Sequence, residues 1–376
     1  MAVKITDLRT PCVLVEHGRI ERNIERMQTA ANGRRLRLRP HAKTHKCPEL
    51  ARVQIGRGAV GVCCAKLGEA EVFAEAGISD IRLPYPIHPV NADRVLKLLD
   101  RTHLSFIVDH PAVARGWSDA MSQAGREIDV LVKVDVGFHR CGIDPHSPDS
   151  GEFVARVAEM PGLRYRGLLS HAGHAYGARS EDEAREFAAA EAAMLMGLAE
   201  RAAALGVRSE EISVGATPTA RFSVDCQGIT ELRPGNYIYF DRTQVGLGSA
   251  TWADCALTVL ARVVSRPAPD RVIIDSGSKT LTTDLARGFE NQPGYGAVLR
   301  GLEELEPDEG LLVERLSEEH ATVRVKGGRR GLEPGDLVRV VPNHSCVVSN
   351  LVDAVWLVSG DEVLERLDVA ARGRIT

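Results

Sequence analysis

A chain of 376 residues with 47 basic and 51 acidic side chains, net −4, lacks the positive excess that holds a phosphate backbone, so no nucleic-acid partner is expected. Its 44% hydrophobic and 26% charged content is that of a soluble globular protein, and its length gives two domains or one large barrel with an appendage. Only eight of the basic residues are lysine against thirty-nine arginine, so chemistry that needs an amine has few places to happen.

The opening MAVKITDLRTPCVLVE shows neither the apolar stretch nor the cleavage site of a signal peptide. Residues 11–16 read as a strand, ahead of a helix with Ile20, Ile24, Met27 and Ala31 on one face. Strand-like runs follow at 36–43, 59–65, 80–86, 104–109, 128–137, 166–173, 211–215 and 229–234. Helical stretches such as 67–77, 90–99 and 181–205 separate most of them, with no long helix evident between the seventh and eighth. Strands joined by crossover helices imply a parallel sheet, and eight is the number that closes a (β/α)8 barrel; an open doubly wound sheet is the competitor.

After about 245 the texture changes. Short valine-rich runs at 256–265, 271–275, 310–316, 321–325, 336–341 and 354–358 are joined by turns such as Gly327-Gly328 and Glu333-Pro334-Gly335-Asp336. No helix is expected between the later ones, which makes a second, mainly antiparallel β domain. The expected organisation is an N-terminal strand (1–16) pairing with the β domain, a barrel (17–245) and the β domain itself (246–376). No apolar run reaches the roughly 18 residues of a membrane helix. The eight cysteines are too dilute for a disulfide framework, which suits reduced thiols in the cytoplasm.

The first barrel strand ends in Arg39-Pro40-His41-Ala42-Lys43-Thr44-His45-Lys46. Alternation puts Arg37, Arg39, His41 and Lys43 on one face, with Leu36, Leu38 and Ala42 on the other. The leucines belong against the outer helices. That turns the polar face inward and sets Lys43 at the strand's C-terminal end, where barrel enzymes keep catalysis. Neighbouring cations disfavour the protonated amine, as a Schiff-base lysine requires. The plainer reading is a strand-end lysine reaching water.

Two small-residue turns follow the last two strands, at 213–219 and 233–237. Such turns let main-chain N–H groups approach phosphate oxygens at the place where barrels commonly hold a phosphate, although they also make ordinary turns. Arg140 lies between glycine turns, where it can meet an anionic ligand or pair with Asp135 or Asp144. His171, His174 and Tyr176 close the sixth strand. In the β domain His344 and Cys346 stand two apart, on the same side of an extended chain, and imidazole with thiolate suits a divalent ion such as zinc in an open site.

The motifs RPHAKTHK, GVCCAKLGEAE, DVGFHRCG, SVGATPTA and PNHSC span nearly the whole chain from Thr10-Pro11 onward. Together they resemble those of the fold-type III pyridoxal-phosphate enzymes, in the group of D-threonine aldolase and D-serine dehydratase. The resemblance implies an α/β fold, a (β/α)8 barrel of alanine-racemase type with a C-terminal antiparallel β domain, in a homodimer with active sites at the subunit interface. By the same resemblance Lys43 matches the lysine that bonds pyridoxal 5'-phosphate, Arg140 the arginine near the cofactor's phenolic oxygen, and Tyr176 a tyrosine on the pyridine ring. Gly215, Thr217, Gly235 and Asn236 match the phosphate cup. His344 and Cys346 match the ligands of a divalent ion, whether manganese, magnesium or zinc. Some members carry an aspartate where Cys346 stands; a thiolate favours zinc.

The implied reaction is a lyase step on a β-hydroxy-D-amino acid, with the electrons released at Cα taken up by the cofactor ring and the β-hydroxyl held by the metal. Deprotonating the hydroxyl breaks Cα–Cβ and gives glycine and an aldehyde, whereas removing the Cα proton eliminates water. D-threonine aldolase is the activity expected first, and D-serine dehydratase or a related 3-hydroxy-D-amino-acid dehydratase next. A racemase is third, because no opposite-face tyrosine is identifiable. Two other classes stay open. A pyridoxal-phosphate-binding protein without catalysis would lack the β domain, and a metal-dependent barrel hydrolase would not need Lys43.

Overall fold

The computed structural model describes residues 3–326 and 331–376. Strand Cys12–Glu16 (β1) leads into helix His17–Gly33, which buries Ile20, Ile24 and Ala31. Eight strands then alternate with helices: Arg37–Leu38 (β2), Val62–Cys63 (β3), Asp80–Pro86 (β4), His103–Val108 (β5), Ile128–Lys133 (β6), Leu163–Leu169 (β7), Glu211–Val214 (β8) and Glu231–Leu232 (β9). All pair in parallel, in the order β2-β9-β8-β7-β6-β5-β4-β3. The ring closes between β2 and β3, where the Leu38 and Pro40 carbonyls accept the Val60 and Cys63 N–H groups at 2.9 and 2.8 Å. This is the (β/α)8 barrel that the run count implied.

Most strands are shorter than the runs that announced them. β2 stops at Leu38, and β6 stops at Lys133 rather than 137, because the glycine, proline and histidine residues beyond turn the chain into loops at the C-terminal rim. Between β8 and β9 there is a short helix, Thr217–Ser223, opened by Pro218 at its second position.

The interior at the other end of the barrel is charged rather than aliphatic. Arg39 meets Glu231 at 3.0 Å and Asp80 at 2.5 Å, Arg82 meets Glu211 at 2.8 Å and also Glu231, and Ser213 donates to Glu231 at 2.6 Å. Burial would raise the Glu231 carboxyl, but Arg82 and Arg39 hold it down at about 2. Its stabilising contribution is therefore fully present above the unfolded value near ~4.3 and lost as pH falls toward about 2. Removing one partner of so buried a network leaves an uncompensated charge. Glu231→Ala should lower stability by about 3–5 kcal/mol in denaturant unfolding at neutral pH; a loss below ~1 kcal/mol would contradict the arrangement.

The later chain forms Leu257–Ala268 (β10), Arg271–Ile274 (β11), Ala297–Leu299 (β12), Leu311–Leu316 (β13), Ala321–Val325 (β14), Leu337–Val341 (β15), Ala354–Ser359 (β16) and Glu362–Asp368 (β17). Six of these close a ring, β10-β11-β14-β13-β12-β15, in antiparallel pairs around Val259, Val313, Val323 and Val340. β1 inserts beside this ring, antiparallel to β10 and parallel to β16, with β17 outermost.

Three elements here were not foreseen. β12 has three residues, too few to show alternation, and β17 is acidic and half exposed at the sheet edge. A helix, Ser345–Leu351, also separates β15 from β16, against the expectation of none. Seven residues are two turns, too short for a 3.6-residue period to register. The turn expected at Gly327-Gly328 lies outside the described residues. All eight cysteines are free, and no helix among the described residues is long and apolar enough to cross a membrane.

Candidate active site

A cavity of about 750 Å³ opens at the C-terminal ends of the barrel strands, walled on one side by the β domain. All nine residues singled out from the sequence line it: Lys43, Arg140, Tyr176, Gly215, Thr217, Gly235, Asn236, His344 and Cys346.

Lys43 reaches the cavity by a route that strand alternation does not describe. It sits on a 3-10 turn, Ala42–Thr44, and its N–H points at His41 Nδ1, 3.4 Å away. Lys46, three residues on, is swung into the core onto Glu69. The cationic surroundings also differ from expectation. Arg37 and Arg39 are held by Glu211, Glu231 and Asp80 at the far end of the barrel, so they are not the charge beside Lys43. Buried Arg233 lines the same cavity, its Nε donating to Ser213 Oγ at 2.7 Å, and Lys133 lies outside the lining, where burial and Arg233 bring it down to about 8.

Gly215 and Gly235 are glycines for steric reasons. A Cβ on Gly215 would stand 2.8 Å from Arg233 Cβ, and one on Gly235 would stand 2.9 Å from Thr44 Oγ1. The first turn is thereby pressed against the end of β9 and the second against the turn that carries Lys43. Among the described residues the main-chain N–H groups of Ala216, Thr217, Gly235 and Asn236 have no hydrogen-bond partner. The buried Thr217 Oγ1 is likewise unpartnered. Converging free donors around a small-residue cradle fit a phosphate group. The Asn236 amide is committed elsewhere, donating to Asp241 at 2.6 Å and to Ser345 Oγ at 3.0 Å, so its backbone is what faces a ligand.

Arg140 pairs with neither Asp135 nor Asp144. Asp135 accepts the Gly137 and His139 N–H groups at 3.0 Å each, which shapes the loop, and the Arg140 guanidinium lies 5.0 Å over the Phe138 ring at the cavity wall. His171 lines the cavity with Nδ1 on the Gly215 carbonyl, and burial together with Lys43 and Lys133 keeps it neutral. His174 instead packs on Phe187, ring centres 4.6 Å apart. Burial pushes the Tyr176 phenol up, so it is protonated at neutral pH.

His344 and Cys346 are brought together by the start of a helix, not by an extended chain. His344 is the extended residue preceding Ser345–Leu351, and Cys346 lies in the first turn. Asp284 Oδ2 is 2.8 Å from His344 Nδ1, which fixes the ring and leaves Nε2 for another partner. Burial opposes the imidazolium, but Cys346, Asp241 and Asp284 push His344 up to about 10. Burial likewise would raise the Cys346 thiol; the hydrogen bond and charge of His344, with Lys43 nearby, outweigh it and bring it below its ordinary value. A thiolate and an imidazole already held by a carboxylate form a donor set that fits a divalent ion. Among the described residues no group of three or more histidine, cysteine, aspartate or glutamate side chains is placed to hold a metal ion.

Asp241 and Asp284 escaped the sequence reading. Asp241 caps the short helix Arg242–Gly246 and accepts the Ser345 N–H at 3.0 Å, tying the barrel to the metal motif. Its signal was an Asp just after the Asn236 turn; Asp284, in an irregular loop, gave none.

The model of the alanine racemase N-terminal domain matches residues 15–243, and that of a putative serine dehydratase domain matches residues 256–358. The chain is 34% identical to D-threonine aldolase of Arthrobacter sp over 373 residues, covering 97% of this chain and 93% of the relative. It is 30% identical to D-threo-3-hydroxyaspartate dehydratase of Delftia sp. strain HT23, covering 94% and 95%. Among solved structures, a cysteine-to-alanine variant of a D-threo-3-hydroxyaspartate dehydratase in the metal-free form superposes with a TM-score of 0.91 at 29% identity, covering 97% of this chain and 98% of that one. The chain belongs to the alanine-racemase-like family of D-threonine aldolases and D-serine dehydratases.

Proposed function

We propose that the protein is a pyridoxal-phosphate- and divalent-metal-dependent lyase of β-hydroxy-D-amino acids that cleaves D-threonine to glycine and acetaldehyde. The observation that carries this reading is one cavity holding both Lys43 and the His344/Cys346 pair, with Thr44 Oγ1, one residue from the amine, 3.2 Å from Cys346 Sγ. An amine and a metal-ligand pair so close reach adjacent carbons of one small substrate. When bound, the cofactor supplies an electron sink at Cα and the ion a Lewis acid at the β-hydroxyl.

The chain's own side chains divide the remaining work. With the cofactor bound, Lys43 would hold it and would carry a proton to or from Cα, Arg140 would meet its phenolic oxygen and Tyr176 its ring. The 215–217 and 235–236 turns take the phosphate, and His344 and Cys346 hold the ion with Asp284 behind them. Leu285, 66% exposed, and Phe138, 37% exposed, rim the cavity and suit cover by a second copy in a homodimer.

Dehydration of D-serine or a related 3-hydroxy-D-amino acid is the second reading, favoured by the thiolate at Cys346, since a zinc-selecting ligand suits loss of hydroxide from Cβ. Purified protein with cofactor and Mn²⁺ or Zn²⁺ is incubated separately with D-threonine and D-serine. Glycine with acetaldehyde is the expected result. Pyruvate from D-serine alone would move the assignment to the dehydratase, and neither product from a cofactor-loaded protein would sink both.

A further inference from the structure

The motif that carries Lys43 ends in a residue this chemistry leaves unused. Lys46 has φ +54°, a left-handed conformation that glycine adopts freely and lysine rarely. Its side chain is buried with Nζ on the equally buried Glu69, whose second oxygen accepts the Ala65 N–H. An unfavourable backbone and a buried charge pair are separate penalties at one position.

What they hold is the C-terminal segment. Ala371, fully buried, donates its N–H to the Lys46 carbonyl at 3.0 Å and accepts from Lys46 Nζ at 3.4 Å. The Thr376 carbonyl accepts the Gly68 N–H at 2.8 Å, on the helix that also bears Glu69. On the opposite side the same segment grips the β domain. Val369 N–H donates to the Asp353 carbonyl at 2.8 Å, and Gly373 N–H donates to Asn350 Oδ1 at 3.3 Å. Asn350 lies on the Ser345–Leu351 helix, whose first turn holds Cys346.

Residues 369–376 thus join the Lys43 turn to the helix of the metal pair. The direct contact between those elements, Thr44 Oγ1 to Cys346 Sγ, ends on the sulfur an ion would claim, so it is poorly suited to fix their separation. We propose that segment 369–376 is a strap that sets the distance between Lys43 and the His344/Cys346 pair, with Lys46 as its positioning residue on the barrel. This rests on the reading of both groups as one lyase site.

Two full-length variants test it. Ala371→Glu sets a carboxylate beside Glu69 where there is no free surface and expels the strap. Asn350→Ala, at a half-buried site, releases one of the two anchors on the β domain without touching the barrel. Each is loaded with pyridoxal phosphate and its visible absorbance is titrated with pH, with and without Zn²⁺. In the unmodified protein Zn²⁺ shifts the titration midpoint of the lysine-bound cofactor downward, because a cation nearby favours the neutral form. In both variants the cofactor still bonds Lys43 and Zn²⁺ still binds, but the shift shrinks. With Ala371→Glu kcat falls about a hundredfold at unchanged KM, and with Asn350→Ala it falls less. Lys46→Arg, which keeps the charge on Glu69, retains the shift. An unmodified shift and kcat in both variants, with the strap shown free by faster tryptic cleavage at Arg372, overturn the proposal. Absence of lysine-bound cofactor or of Zn²⁺ binding in the unmodified protein removes the underlying lyase reading instead.

Discussion

Lys43→Ala is expected to give a protein without the visible absorbance of lysine-bound pyridoxal phosphate, without a borohydride-trapped adduct, and with lyase activity reduced by ~1,000-fold or more. The expectation is sharp because the barrel offers a second interior amine. Lys133 ends β6, and burial together with Arg233 brings it down to about 8, which makes it the chemically credible rival. The two differ in position: Lys43 lines the cavity at the C-terminal rim, opposite the two glycine turns, and Lys133 is not among the lining residues. Trapping followed by peptide mapping separates them. An adduct on Lys133, in either the unmodified or the variant protein, would move the covalent site.

How far the sequence could go is clearest at these lysines. The strand-end cluster around Lys43 and the β-period runs were legible because barrel strands are short and pack an apolar face against the helices, and the loops after them must turn. β4 follows its expected run residue for residue, Asp80–Pro86. Strand parity failed past Leu38 because the chain leaves the strand for a 3-10 turn, so Lys43 and Lys46 part company by backbone torsion and not by alternation. The charge assigned to Arg37 and Arg39 failed for another reason. Their partners Glu211, Glu231 and Asp80 lie 41 to 192 residues away in sequence, and a local reading cannot see who neutralises whom. Asp241 acts through a contact across the two domains and Asp284 through one 60 residues away within the β domain, and neither leaves a local pattern.

His344→Ala and Cys346→Ala should behave in the opposite way to Lys43→Ala. Each keeps the coloured, lysine-bound cofactor, loses tight Zn²⁺ or Mn²⁺ binding, and loses turnover by about a thousandfold. The separation follows from the fold, since the amine belongs to the barrel and the ligand pair to a helix of the β domain. Proton competition adds a pH signature. With His344 pushed up to about 10, an arriving ion must displace its proton, so metal affinity rises with pH until about 10 and levels off above it. Isothermal titration across that range measures it, in buffers of different ionisation heat to count the released proton. Full turnover in a chelator-treated protein would dismiss the metal from the reaction, whatever His344 and Cys346 bind.

β1 leaves the ribosome before the barrel strands, yet its places are beside β10, with Val13 opposite Val259, and beside β16, with Leu14 opposite Trp356. The second sheet therefore waits for nearly the whole chain to be synthesised, while the barrel strands emerge in between. In folding terms the barrel is a long insertion within the β domain, and joining sheet partners so far apart in sequence is intrinsically slow. A cut near the boundary would not yield two self-sufficient halves. The C-terminal piece would carry β10 and β16 with the edges that β1 should cover left bare, and a bare strand edge recruits other extended chains, so that piece should aggregate.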